Sequence, residues 1–181
     1  MKKIMFNDKY GLTQAVLEGR KTQTRRTFLK PGEDTLLNGI TPEYLISVRS
    51  RYKVGETVAI AQSYADITPQ VDWVKCMIRK ETLGWNNKMF VRAEDMPHHI
   101  RITKIRIERL QDIKSEDCLK EGLWRAGDVG LEGTTYWYHG LSNSSFRTPQ
   151  EAYASLIDNI SGKGTWASNP YVFVYDFELI N

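Results

Sequence analysis

The sequence predicts an α+β domain: a small β-barrel with peripheral helices and two insertions. Three observations predict it. Short strand-like segments alternate with few helical ones. The segment Ile100 to Ile107 alternates in polarity and changes parity between Ile102 and Ile105, as a strand does around a β-bulge. Such bends are what a small barrel needs. A chain of 181 residues can bury a sizeable core as one domain, spanning 1–181.

The elements follow in chain order. Lys3 to Phe6 reads as a short first strand. Leu12, Ala15, Val16 and Gly19 recur at helical spacing and predict a helix from about residue 9 to 18. Asn7 or Asp8 can cap its start, and Gly19 suits the left-handed position past its end. The stretch 31–51 reads as a helical or irregular insertion. Gly55 marks a turn before a strand from Thr57 to Ala61, and Trp73 to Ile78 reads as a strand with a helical alternative.

In the bulged strand the charged face carries Arg101 or Lys104 and Arg106, and it reads as a solvated outer face. Ser115-Glu116-Asp117 opens a short helix with acids in its first turn, ending at Glu121-Gly122. The second insertion, 123–147, carries Trp124, Tyr136, Trp137 and Tyr138. These aromatics suit a lid or stacking arm, and equally a loop packed onto the barrel.

Thr148-Pro149-Gln150-Glu151 combines a cap, a first-turn proline and a capping-box Glu. Ala152, Leu156 and Ile160 give that helix its buried stripe. Ser161-Gly162-Lys163-Gly164 reads as a turn. The last strand, Tyr171 to Ile180, begins apolar on both faces, which predicts a central place in the sheet. Its aromatics read as core. Asp176 and Glu178 then turn one face to water.

Composition bounds the function. Apolar residues at 41% and charged residues at 26% are ordinary for a soluble protein. No stretch has the apolar length that spans a bilayer, and the N-terminus lacks a signal-peptide pattern. The expectation is a cytoplasmic protein with no membrane partner. Cys76 and Cys118, far apart in sequence, read as buried thiols rather than a disulfide. His98, His99 and His139 fall in no metal-binding pattern, so neither metal nor other cofactor is expected.

The charge is unevenly placed. The whole chain carries +3, yet Arg20, Lys21, Arg25, Arg26 and Lys30 are five cations in eleven residues without an acid among them. They begin where the first helix stops. One helix C-terminus can use a cation or two. Five point to an anionic partner.

The run Leu17-Glu18-Gly19-Arg20-Lys21-Thr22-Gln23-Thr24-Arg25-Arg26 resembles the ASCH domain family, a branch of the PUA-like superfamily. Three further segments resemble its longer, phage-associated members: Tyr52 to Val58, Arg109 to Ile113 with Cys118 to Gly122, and Trp166 to Tyr175. In the right order, they cover most of the chain. The resemblance implies a PUA-like barrel and a basic pocket that binds RNA or a nucleotide, with Arg20, Thr22, Arg25, Arg26 and Lys30 as ligand contacts.

The small bacterial ASCH proteins are amidohydrolases of acetylated cytidine. Their Lys, Thr and Glu correspond by resemblance to Lys21, Thr24 and Glu121. In that alternative Thr24 attacks the amide carbonyl, Lys21 takes its proton and Glu121 relays protons. A lysine must fall from about 10.4 to roughly 7–8 to serve as a base, a cost of about 4 kcal/mol. Burial and neighbouring cations push it down, and an adjacent ionised Glu121 pushes it up. The reading therefore expects Glu121 to be displaced toward neutrality or held a few ångströms away. A third alternative is a non-catalytic protein-interaction module of phage or mobile-element origin.

Overall fold

A computed structural model describes residues 1–29, 39–67, 83–126, 133–140 and 145–180. Lys30, Cys76, the expected strand at 73–78 and parts of both insertions lie outside these residues.

Five strands form one mixed sheet: β1 (Lys2–Ile4), β2 (Gln23–Thr27), β3 (Thr57–Ile60), β4 (His99–Arg109) and β7 (Tyr171–Ile180). Their order is β1-β3-β4-β7-β2. β1 runs parallel to β3, and every other pair is antiparallel. With its surrounding helices this is an α+β fold. β1 and β2 are the two edges, and among the described residues no ladder joins them, so the sheet is open where a closed barrel was expected. A side chain spans the gap instead: Arg26 Nη2 donates to the Met5 carbonyl at 2.5 Å.

The bulge expected in β4 is present. Ile102 faces Phe177 and Lys104 faces Asp176, so Thr103 is the extra residue. It turns Arg106 toward Asp176, with Nη1 2.6 Å from Oδ2. The expectation that Arg106 lies on a solvated face and that Asp176 points to water therefore fails, because each neutralises the other at the junction of three strands. Arg101 and Glu178 remain exposed. β7 is central as expected, and Val172, Phe173, Val174 and Tyr175 are all buried.

The first helix is shorter than the periodicity predicts. A 3₁₀ turn at Asp8–Tyr10, capped by the Asn7 side chain, precedes α1 (Leu12–Leu17). Gly11, at φ 64°, separates them, and a Cβ there would lie 3.2 Å from His139 Cβ. The first insertion contributes α2 (Pro42–Arg49), capped by the Thr41 hydroxyl. A short α3 (Tyr64–Ile67) follows β3. α4 (Ser115–Lys120) lies where its acidic first turn predicts.

The second insertion forms a two-stranded ribbon, β5 (Trp124–Arg125) with β6 (Tyr136–Trp137). Its aromatics divide in burial. Tyr138 is buried in the core, and the Trp124 and Trp137 rings stack at 6.4 Å.

α5 (Pro149–Ser161) carries the full capping box and buries Ala152, Tyr153 and Leu156. Ile160 does not join that stripe: it is 37% exposed, because the last turn of α5 lines an open cavity. A short α6 (Thr165–Ser168) leads into β7.

The main core packs α1 and α5 against the sheet through Val16, Ile100, Ile102, Leu156, Val174 and Phe177. A smaller one joins Ala59, Tyr64, Ile67 and Met96. No helix among the described residues is long and apolar enough to cross a membrane.

Candidate functional site

The chain between α1 and β2 is pinned from both sides. Lys21 N–H donates to the Ala15 carbonyl at 2.8 Å, and Thr22 N–H donates to that of Lys120 at 2.9 Å. Phe177 N–H donates to the Thr22 carbonyl. Lys21 and Glu121 thereby pair as an isolated antiparallel bridge. Glu121 is the residue that ends α4, so its position is fixed by the helix as well. Gly122, at φ 94°, permits this approach: a Cβ there would meet Ala15 at 3.1 Å and Lys21 at 3.3 Å.

The side chains meet too. Lys21 Nζ donates to Glu121 Oε2 at 2.5 Å, to the Glu121 carbonyl at 3.0 Å and to the Gln23 carbonyl at 2.8 Å. Both residues are buried, at 2% and 3% exposure. Arg25 Nη1 takes the other carboxylate oxygen, Glu121 Oε1, at 3.0 Å. Its Nε and Nη2 both donate to Glu108 Oε1, at 2.9 and 2.6 Å. Arg106 joins Glu108, Asp117 and Asp176 to the same network. Buried charge is tolerated here because each group is paired and hydrogen-bonded.

Of the two arrangements expected for Glu121, a carboxyl displaced toward neutrality or one held a few ångströms away, the contact rules out the second. The Lys21 ammonium nevertheless stays below its ordinary pKa. Desolvation is the largest influence and outweighs the opposing pull of Glu121, and the charges of Arg26 and Arg25 push the same way as burial.

Thr24, on β2 opposite Tyr175, is buried. Its hydroxyl makes no hydrogen bond among the described residues. Thr24, Lys21 and Glu121 line one cavity of about 170 Å³, together with Phe6, Arg26 and Tyr153. The other residues of the basic run divide. Arg25 also borders the cavity, but its nitrogens are engaged by Gln23, Glu108, Asp117 and Glu121, so it positions Glu121. Arg20 lies outside the cavity lining, paired with Glu18 and 3.7 Å from the Trp124 ring. Thr22 contributes its backbone alone to the bridge.

Tyr153 was not foreseen. It is buried and its hydroxyl has no hydrogen-bond partner among the described residues, a state shared with Tyr138. Burial is the first cause, and Glu121 the second, that hold both phenols well above their ordinary pKa. The sequence did carry a signal: Tyr153 falls with Pro149, Ala152 and Leu156 on the apolar stripe of α5. Glu108 and Arg106 share a parity beyond the bulge, which places both on the network side. Among the described residues, no three His, Cys, Asp or Glu side chains are placed to hold a metal ion.

The fold and site therefore describe an α+β protein with a buried ion pair beside a small polar-lined cavity at a sheet edge. No family model matches the chain, and no curated protein matches it. Among solved structures it is similar to protein EF3133 from Enterococcus faecalis V583, of the DUF984 family, at 15% identity and a TM-score of 0.43. That match covers 99% of this chain and 80% of the other. At that likeness neither a fold family nor a function passes from one protein to the other.

Proposed function

We propose that the chain is an ASCH-type, PUA-like module of the longer, phage-associated kind, which binds RNA or a nucleotide by holding a base in the Lys21–Glu121 cavity. One observation carries this reading: the three positions marked by the resemblance, Lys21, Thr24 and Glu121, border a single cavity. The Glu121 carboxylate can accept from an exocyclic amine, and the Thr24 and Tyr153 hydroxyls have hydrogen-bonding capacity to spare. Phe6 and Leu156 supply apolar walls for the faces of a base. The bulge at Thr103 and the Arg26–Met5 bond across the open edge support a sheet curled toward a barrel.

Hydrolysis of an N-acylated pyrimidine nucleoside is the second reading. It is favoured by the lowered pKa of Lys21 beside an unengaged threonine hydroxyl. Thr24 Oγ1 adds to the amide carbonyl while its proton passes to neutral Lys21. The tetrahedral adduct expels the exocyclic amine, which takes that proton back. Water then cleaves the threonyl ester, releasing the acid and restoring Thr24. Glu121 holds the transient ammonium.

Incubation with a panel of N-acylated nucleosides and with transfer RNA tests both. Retention without product supports binding alone. Product that disappears in Thr24→Ala while retention persists supports hydrolysis. Neither retention nor product refutes both readings.

A further inference from the structure

A second cavity, of about 560 Å³, lies by the gap between the sheet edges β1 and β2. It shares Met5, Arg26 and Thr27 with the smaller one, so the two adjoin along β2. The Phe6 ring lines the smaller cavity, with the Arg26 guanidinium 6.0 Å and Lys21 Nζ 5.8 Å from its centroid.

The walls of the larger cavity are one-sided in charge. Among the described residues Lys3, Arg26, Arg49 and Arg51 line it, and no acidic residue does. None of these four is in an ion pair among the described residues. Lys3 Nζ is held by the carbonyls of Lys88, Met89 and Val91, and Arg26 by that of Met5, which fixes both cations without neutralising them. The Arg51 guanidinium lies 5.7 Å from the Tyr52 ring, and both Arg49 and Arg51 are exposed. By contrast, the buried cations Lys21 and Arg25 are fully paired with carboxylates.

The rest of the lining is aromatic. Phe28 stacks on Phe173 at 4.1 Å, and Tyr52 meets Tyr175 edge-on at 5.2 Å. Unneutralised guanidinium groups fork onto phosphate oxygens, and aromatic faces receive bases or sugars. Arg49 ends α2 and Arg51 follows it, so the first insertion supplies half of the charge.

We propose that this larger cavity is a phosphate subsite, and that the ligand is therefore a phosphorylated nucleotide, alone or within a single strand, rather than a free nucleoside. The inference rests on the reading of the smaller cavity as the base site. Arg26, common to both cavities, places the phosphate next to the base pocket. Arg49 and Arg51 line the same cavity and supply its other guanidinium groups.

The test measures binding of cytidine, cytidine 5′-monophosphate, a short single-stranded cytidine oligonucleotide and inorganic pyrophosphate. The proteins are the wild type and the double variant Arg49→Ala/Arg51→Ala, whose thermal unfolding is recorded alongside. The monophosphate is expected to bind about tenfold or more tightly than cytidine, with the ratio falling to about one in the double variant. Equal affinities in the wild type, or a ratio that the double variant leaves intact, would overturn the subsite while leaving the base site standing.

Pyrophosphate that binds the wild type and not the variant, with no cytidine bound, supports the subsite and refutes the base site. No binding of any phosphate compound overturns the subsite. An oligonucleotide that binds more tightly than the monophosphate, with a steeper salt dependence, identifies a strand as the source. Equal binding of the two identifies a mononucleotide.

Discussion

Lys21 Nζ and Glu121 Oε2 lie 2.5 Å apart although 100 positions separate the two residues in sequence. The pair is not a simple one, because Arg25 holds the second oxygen of the same carboxylate. The two partners are therefore unequal in what their loss exposes.

Glu121→Leu leaves two buried cations facing each other and is expected to cost about 3–5 kcal/mol of stability. Lys21→Met leaves Glu121 with Arg25 still attached and is expected to cost roughly 1–3 kcal/mol. Urea unfolding of the two variants checks the order. Equal losses would mean that Arg25 does not share the carboxylate.

The two unpartnered tyrosines separate fold from function. A buried hydroxyl without a partner is a desolvation cost, so Tyr138→Phe and Tyr153→Phe are each expected to leave stability unchanged or raise it by up to ~1 kcal/mol. Only Tyr153 lines the small cavity. Binding of a nucleotide or transfer RNA should weaken in Tyr153→Phe and stay as it was in Tyr138→Phe. A parallel response of both variants in the binding assay would remove Tyr153 from the site.

Alkaline pH should loosen this fold. Burial pushes the Cys118 thiol from 9.0 up to about 12 and raises Tyr138 and Tyr153 well above 10.0. Each is an acid whose charged form the fold disfavours, so the unfolded chain releases its proton first. Their stability is intact below pH 9 and is lost as pH rises toward 12. Lys21 has the opposite sign. Its folded pKa lies below 10.5, so its penalty is relieved as pH rises toward that value.

Chemical denaturation at pH 8 and at pH 10.5 should show a lower midpoint at the higher pH, and Lys21→Met, which removes the opposing contribution, should widen that drop. Alkylation of native Cys118 at pH 8 should run roughly a thousandfold slower than that of an ordinary thiol. A rate typical of an exposed cysteine would refute its burial.

Local signals reached far into this fold. The capping box at Thr148 and Glu151, the acidic start of α4 and the parity change in β4 each announce their element, because each is decided within a few residues. What escaped was decided at a distance. Gly11 breaks the first helix with a left-handed backbone, and His139, from beyond the second ribbon strand, stands 3.2 Å from where a Gly11 Cβ would be. Asp176 looks solvent-facing along β7, and only the bulge at Thr103 in the neighbouring strand brings Arg106 to it. The basic run looked uniform, yet the fold buries Arg25 in carboxylates and leaves Arg26 at a cavity, a division set by which side of an edge strand each occupies. Of the larger cavity's cations the sequence marked Arg26 alone, and Lys3, Arg49 and Arg51 escaped because they join it from two other segments.

Titration of Lys21 brings the site's electrostatics into one measurement. Desolvation lowers its pKa, Glu121 raises it, and the charges of Arg26 and Arg25 lower it further. Removing the like charge of Arg26 must therefore move the pKa upward, because the ammonium form loses a repelling neighbour. Carbon-13 NMR of the Lys21 Cε, followed against pH, should show a midpoint below the ordinary lysine value in the wild type and a higher one in Arg26→Gln. Arg26 contacts the rest of the protein through the Met5 carbonyl and the face of Phe6, so the substitution leaves the Lys21–Glu121 bridge in place. If Lys21 acts as a base, the acid limb of the hydrolysis profile, where the rate rises with pH, should move up in the same variant by the same interval. An NMR midpoint that moves down, or a rate profile that moves without it, would show that Arg26 acts on the ligand and not on Lys21.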